Sequence, residues 1–209
     1  MDLLLGNRST LKKFILPQNF ANTSSATVPD ATMDALGLGV AGLFEGYCGR
    51  KFARTVNDQV IFSGDRLTYI LPRYPVEEIA TVEFRAHWTY AWSALTVADA
   101  LAAVDLRAGL LQFASPLGNE FSQVRVTWTG GFWIDSTEDG TGVQPDGSAL
   151  LPGDLSLAWL MCCQEWWNKR DKLGLSLSSL PDAQVAIAKL DLPAGIKVML
   201  AYHRRMQLS

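Results

Sequence analysis

The spacing of the apolar residues changes twice along this 209-residue chain, and few folds accommodate both changes. From Asp30 onward Met33, Leu36, Val40, Leu43, Phe44 and Tyr47 recur at three and four residues, one face of a helix over 30–48. Gly49 is a C-terminal stop for it. Between about 58 and 130 the period drops to two. Leu67, Tyr69 and Leu71 alternate with Thr68 and Ile70; Ala80, Val82 and Phe84 alternate with Thr81, Glu83 and Arg85. Val124, Val126 and Trp128 alternate with Arg125, Thr127 and Thr129 in the cleanest strand pattern of the chain. Helical spacing then returns in LSLAWLMCCQEWWNKR, after Pro152-Gly153-Asp154. A helical, then alternating, then helical chain predicts an α+β fold, with helices packed around an inserted antiparallel β region.

The remaining segments follow from their punctuation. STLKKFIL (9–16) reads as a short helix capped by Ser9 or Thr10, and the Asn/Ser/Thr-rich stretch to Val28 as a loop. Residues 1–28 are thus a leading segment and 29–205 one domain. Ser63-Gly64-Asp65 is a turn between strands, Thr96–Ala103 a helical turn, and Leu110–Phe113 a strand. Residues 134–153 form an exposed acidic loop, with Asp135, Glu138, Asp139 and Asp146 and no Lys or Arg. Leu173–Asp191 has no steady period and reads as a loop with a short helical piece. Pro193 opens a last helix to Arg205, with Ile196, Met199 and Leu200 on its apolar face.

The helix over 155–170 is apolar on nearly every side. Leu155, Trp159, Cys162 and Trp166 share one face, and Leu157, Leu160, Met161 and Trp167 cover others. Such a helix is buried on more than one side. In a chain this small its second burial partner is expected to be another subunit, reached through Leu160, Met161 and Trp167. The glycines at 37, 39, 42 and 46 weaken the 30–48 helix by up to ~1 kcal/mol each relative to Ala, and leave a thin face for close packing.

Composition narrows the function. A net charge of −3 with no basic stripe argues against sequence-reading contact with DNA. The odd set of Cys48, Cys162 and Cys163 predicts reduced thiols and assembly in the cytoplasm, not a disulfide framework. The N-terminus lacks the basic region of a signal peptide, and no apolar run approaches the ~18 residues of a membrane span.

No catalytic grammar emerges. Cys162 and Cys163 point about 100° apart on a helix, which suits two packed small residues better than a metal site with His203. His87 and Cys48 have no orienting carboxylate pattern. Gly130-Gly131 follows a strand without opening a helix, so it is a turn and not a phosphate loop. The acidic loop lacks the ligand spacing of a calcium site. No catalytic residue, metal or cofactor is expected. His87–Trp92 is the exception in interest: as a strand it would put Trp88, Tyr90 and Trp92 on one face. That face would pack on the protein's own helices, meet a partner, or stack on sugar rings as in a carbohydrate- or receptor-binding tail module.

Five segments occur in a telling order: YCGRKF (Tyr47–Phe52), LPRYPVEEIATVEF (Leu71–Phe84), VRVTWTGGF (Val124–Phe132), the Pro-Gly-Asp-Leu helix start (Pro152–Leu155) and LPAGIKVMLAYHRR (Leu192–Arg205). Over about 30–205 this series resembles the head–tail connector proteins (adaptor or head completion proteins) of long-tailed bacteriophages. The resemblance implies a structural virion protein of the neck, not an enzyme. It implies a homo-oligomeric ring, usually of twelve subunits, below the portal protein. Such a ring extends the DNA channel, lies close to that DNA without reading it, and offers a platform to the next neck or tail completion protein. It further implies that the C-terminal segment reaches the portal, with Tyr202, Arg204 and Arg205 matching the family's closing Tyr-Arg-Arg pattern. No membrane partner is implied.

Overall fold

The computed structural model describes residues 5–15, 30–135, 137, 141–169 and 192–205. The loop expected over 17–28, the segment 173–191 and part of the acidic loop lie outside these residues. The elements are helices and antiparallel sheets, an α+β fold. The span read as one domain divides into two compact units, a helical one and a β one.

The helical unit comprises α1 (Arg8–Ile15), α2 (Asp30–Cys48), α4 (Gly153–Lys169) and α5 (Ala194–Ala201). α1 begins one residue before the expected Ser9, and neither Ser9 nor Thr10 caps it. The Asn7 side chain does, its Oδ1 accepting the Ser9 and Thr10 amides at 2.6 and 3.2 Å. Arg8 then grips the Asp34 carboxylate with two nitrogens at 2.7 and 2.6 Å, and also reaches Asp30. Lys12 hydrogen-bonds to Asp30 and, through that bond first, holds this carboxyl below its usual range. These contacts fasten α1 to the first turns of α2.

The buried face of α2 carries Met33, Gly37, Val40, Ala41, Phe44 and Cys48. The expected Leu36, Leu43 and Tyr47 only flank it. Gly37 lies inward because α4 approaches there: the Trp159 indole donates to the Gly37 carbonyl at 3.0 Å. α4 packs against α1, α2 and α5, burying Leu155, Ala158, Trp159, Leu160, Cys162 and Cys163. Gly6 lies against the same indole, and a Cβ there would come within 2.8 Å of the ring. Because Trp159 is fully buried and cannot swing aside, Gly6→Ala is expected to destabilise the chain by about 1–3 kcal/mol. A denaturant titration checks this; an unchanged midpoint would show that the ring yields.

The β unit holds a four-stranded antiparallel sheet in the order β1 (Thr55–Ser63), β7 (Gln123–Gly130), β3 (Val76–Arg85), β4 (Ser93–Leu95). A second antiparallel sheet runs β2 (Thr68–Ile70), β6 (Leu110–Phe113), β5 (Leu101–Asp105). β8 (Phe132–Trp133) and β9 (Ala149–Leu150) pair in parallel, so the stretch read wholly as an acidic loop contains one short strand. Val124, Val126 and Trp128 are fully buried on central β7. Val126 lies opposite Val60 of β1 and Val82 of β3. From the second sheet Tyr69, Leu111 and Phe113 join this core, Tyr69 meeting Phe62 at 4.7 Å and Phe113 edge-on at 5.4 Å.

Three expectations fail here for physical reasons. The alternation of Ala80 with Val82 and Phe84 breaks because β3 shifts register between Ile79 and Thr81. The bulge turns Ile79 toward the core and leaves Ala80 exposed. Leu67 is exposed just before β2, and within it the adjacent Tyr69 and Ile70 are both buried, so a strand of three residues buries both its faces and hides its period. The helical turn expected over 96–103 is confined to α3 (Val97–Ala100), and Leu101 already pairs with Phe113 as the start of β5.

Candidate interaction surfaces

Several residues of the segments that carry the resemblance build the fold. Arg50 is buried with its guanidinium 3.4 Å from the centre of the Tyr74 ring, and 5.2 and 5.4 Å from those of Phe52 and Phe132. It also donates to the Tyr74 carbonyl. Arg54 pairs with Glu77 through two bonds of 2.7 and 2.8 Å. YCGRKF, LPRYP and TGGF, far apart in sequence, thus meet around one cation–π cage. Their co-occurrence has a structural cause.

The aromatic face expected from Trp88, Tyr90 and Trp92 does not form. Residues 86–92 are the loop between β3 and β4, not a strand. Trp92 lies with the guanidinium groups of Arg85 and Arg125 at 4.3 and 4.5 Å from its ring. Arg125 is held in plane by Glu83 at 2.6 and 2.8 Å, and this bond first lowers the Glu83 carboxyl. Arg85 is held by Gln123. Trp88 and Tyr90 remain exposed.

All three thiols are buried. Burial, then the Glu165 charge, pushes Cys162 up to about 11, and burial pushes Cys163 higher still. Cys48 is buried with its thiol 3.7 Å from the Leu200 carbonyl. Among the described residues no group of three or more His, Cys, Asp or Glu could hold a metal ion. No described helix is long and apolar enough to cross a membrane.

The outward surfaces of the helical unit are apolar or bare. On α4, Leu160 is buried in the protomer itself, and Trp166 and Trp167 are half-buried. The residues that face out are Leu157 and Met161, at 46% and 44% exposure. With Asp154 they lie three and four residues apart on one stripe. On α2, Gly39, Gly42 and Gly46 are exposed, with no atom within 4 Å of where a Cβ would stand. Nothing in the described protomer needs these glycines, yet each weakens the helix.

The C-terminal helix ends four residues early. α5 stops at Ala201, and Tyr202–Arg205 continue as a turn and coil. Arg204 and Arg205 therefore do not cap the dipole of α5, which has no basic residue in its last turn. The Arg204 guanidinium lies 5.4 Å from the Tyr47 ring, and Arg205 donates to the Ile70 carbonyl. Tyr202 is 88% exposed. His203, which carried no signal in sequence, closes the turn: its Nε2 lies 2.7 Å from Asp154 Oδ2 at the start of α4. Burial raises the Asp154 carboxyl, but the His203 bond and charge and the Leu155 amide outweigh it and leave it below its ordinary value. No sequence motif announces a pair 49 residues apart.

No protein-family profile matches the chain, and no curated protein matches it in sequence. Solved structures do match. A chain of the "Neck of empty GTA particle computed with C6 symmetry" is 13% identical, with a TM-score of 0.57 over 97% of this chain and 90% of that one. A chain of the "Virion of native gene transfer agent (GTA) particle" gives 13% identity and 0.56 over the same shares. One from the "Neck of native GTA particle computed with C12 symmetry" gives 14% and 0.50, over 97% and 92%. The class defined here is therefore an α+β fold shared with chains of gene transfer agent neck and virion particles. Within that class the likeness is one of fold.

Proposed function

We propose that this chain is a structural, non-enzymatic protein of a phage-like virion neck. In this reading it is an adaptor subunit in a homo-oligomeric ring between the portal protein and the next neck or tail completion protein. The observation that carries the reading is the fold shared over 97% of the chain with a neck chain, at a TM-score of 0.57. The outward Leu157 and Met161 support self-association because apolar side chains are costly to leave in water, and the bare glycines of α2 leave room for a close neighbour. An acidic chain also suits a channel through which DNA slides without being held. Tyr202, projecting beyond α5, is the residue for portal docking, while Arg204 and Arg205 fix the turn that presents it.

Native mass spectrometry of the purified chain tests the ring; a monomer at all concentrations would overturn it. Tyr202→Ser tests the docking role while leaving the His203–Asp154 contact in place. The variant is expected to fold and assemble as the parent does, while particles carrying it lose DNA or fail to join tails at least tenfold more often. Normal yields of tailed, DNA-filled particles would remove Tyr202 from the portal contact.

A further inference from the structure

We infer that the aromatic end of the β unit seats on the outward Leu157, Met161 and Val198 side chains of a second copy of this chain. The inference rests on the ring reading above and says which two surfaces make the ring.

Register brings the aromatic residues to one end. Gln123, the first residue of β7, lies opposite Ser63, the last of β1, and Arg85, the last of β3. Phe84 lies opposite Ser93, the first residue of β4. The loops 64–67, 86–92 and 114–122 therefore emerge together. They expose Trp88, Tyr90 and Phe121 to 65, 63 and 61%.

These loops are built to hold the rings out. The His87 ring sits 5.5 Å from that of Trp88 and 6.1 Å from that of Tyr90, with its Nδ1 2.9 Å from Thr89 Oγ1. Asn119 Oδ1 accepts the Phe121 amide at 3.0 Å, and the Ser122 hydroxyl donates to the Asn119 carbonyl at 2.6 Å. Gly64 donates its amide to the Ser122 carbonyl at 2.9 Å, and Gly118 donates to the Gly64 carbonyl at 3.0 Å. Loop backbone held in this way loses little freedom on binding.

Charge and area select the occupant. The three loops carry Asp65 and Glu120 against Arg66, a balance of −1, so nothing draws them to DNA or to an anionic bilayer. The three rings offer about 300–450 Å² of uncovered surface. A stable isolated pair buries ~800 Å² per partner, so this contact is too small to act alone. It suffices where each chain is held on both sides by ring closure. The chain supplies a second apolar surface of a different kind: Leu157 and Met161 on α4, and Val198 on α5. The acid on that stripe, Asp154, is already bonded to His203. Two unlike, mutually compatible surfaces on one chain make a head-to-tail contact, the kind that generates rings.

Two full-length variants test this. One is Trp88→Ser/Tyr90→Ser/Phe121→Ser; the other is Met161→Glu/Val198→Glu. All five residues are exposed or nearly half-exposed, and circular dichroism is expected to show both variants folded. Each alone should need at least tenfold more protein to assemble in native mass spectrometry. Mixed together, they should still form no ring, since every second contact is then broken and one intact contact does not hold a pair alone. A parent that forms rings while either variant still does so at the same concentration, or a mixture that forms full rings, would overturn the inference and leave the ring reading standing. A parent that never assembles would overturn the ring reading itself. Should the triple variant misfold, Trp88→Ser alone takes its place, with the same outcomes at a smaller shift.

Discussion

Val126→Asp is expected to unfold the chain at room temperature. Val126 is fully buried at the middle of β7, between Val60 and Val82 on the flanking strands and within a core that includes Trp128, Leu111 and Phe113. A carboxylate there would replace an apolar side chain among apolar neighbours. The neighbouring Arg125 points to the opposite face, where Glu83 holds it. An unpaired buried charge costs several kcal/mol, or the carboxyl protonates and still leaves polar atoms unbonded. A domain with ~5–15 kcal/mol of total stability does not absorb that loss together with the lost packing. Far-ultraviolet circular dichroism and a thermal melt read the result. A cooperative melt near that of the parent would mean that β7 faces the other way.

Trp159→Ala is expected to cost about 3–5 kcal/mol, the largest truncation effect in the helical unit. Trp159 is fully buried, α1, α2 and α5 all pack on its helix, and Gly6 lies against its ring. Truncation removes a fully buried ring and, with it, the bond that the indole donates to the Gly37 carbonyl at 3.0 Å. Trp159→Phe separates the two contributions: it keeps most of the volume, loses the hydrogen bond, and should cost nearer to 1–3 kcal/mol. Urea denaturation of the three proteins measures both. Equal losses for Ala and Phe would show that the hydrogen bond, not the packing, dominates.

Some of the surface expected for partners was legible and some was not. Helical spacing showed that α4 has more apolar faces than one neighbour can cover. It did not distinguish Leu160, which the protomer buries, from Leu157 and Met161, which it leaves out. That depends on the directions from which α1, α2 and α5 approach. The three aromatics of 86–92 looked like one face because alternation presumes an extended strand. A loop frees each residue to turn separately, and two arginines from neighbouring strands captured Trp92. Arg204 and Arg205 looked like last-turn cations because the apolar spacing of α5 runs smoothly into YHRR. The helix stops at Ala201, and His203 bonds to Asp154, a partner invisible to any local window.

What the sequence determined by itself was local. The period of three to four around Met33–Phe44 and 155–169 makes helices, and the period of two through Val124, Val126 and Trp128 makes a strand with its apolar side inward. The turn at Gly49 ends α2 because few other residues tolerate its φ of 65°, and Ser63-Gly64-Asp65 turns where a Cβ on Gly64 would run into Ser122. Tertiary structure decided the rest. The bulge that turns Ile79 inward, the cage around Arg50, the burial of Leu160 and the His203–Asp154 closure join residues that are distant in the chain or misaligned between strands. Backbone preference acts over a few residues and is readable from them. Packing and ion pairing depend on which surfaces meet, and that exists only once the elements have assembled.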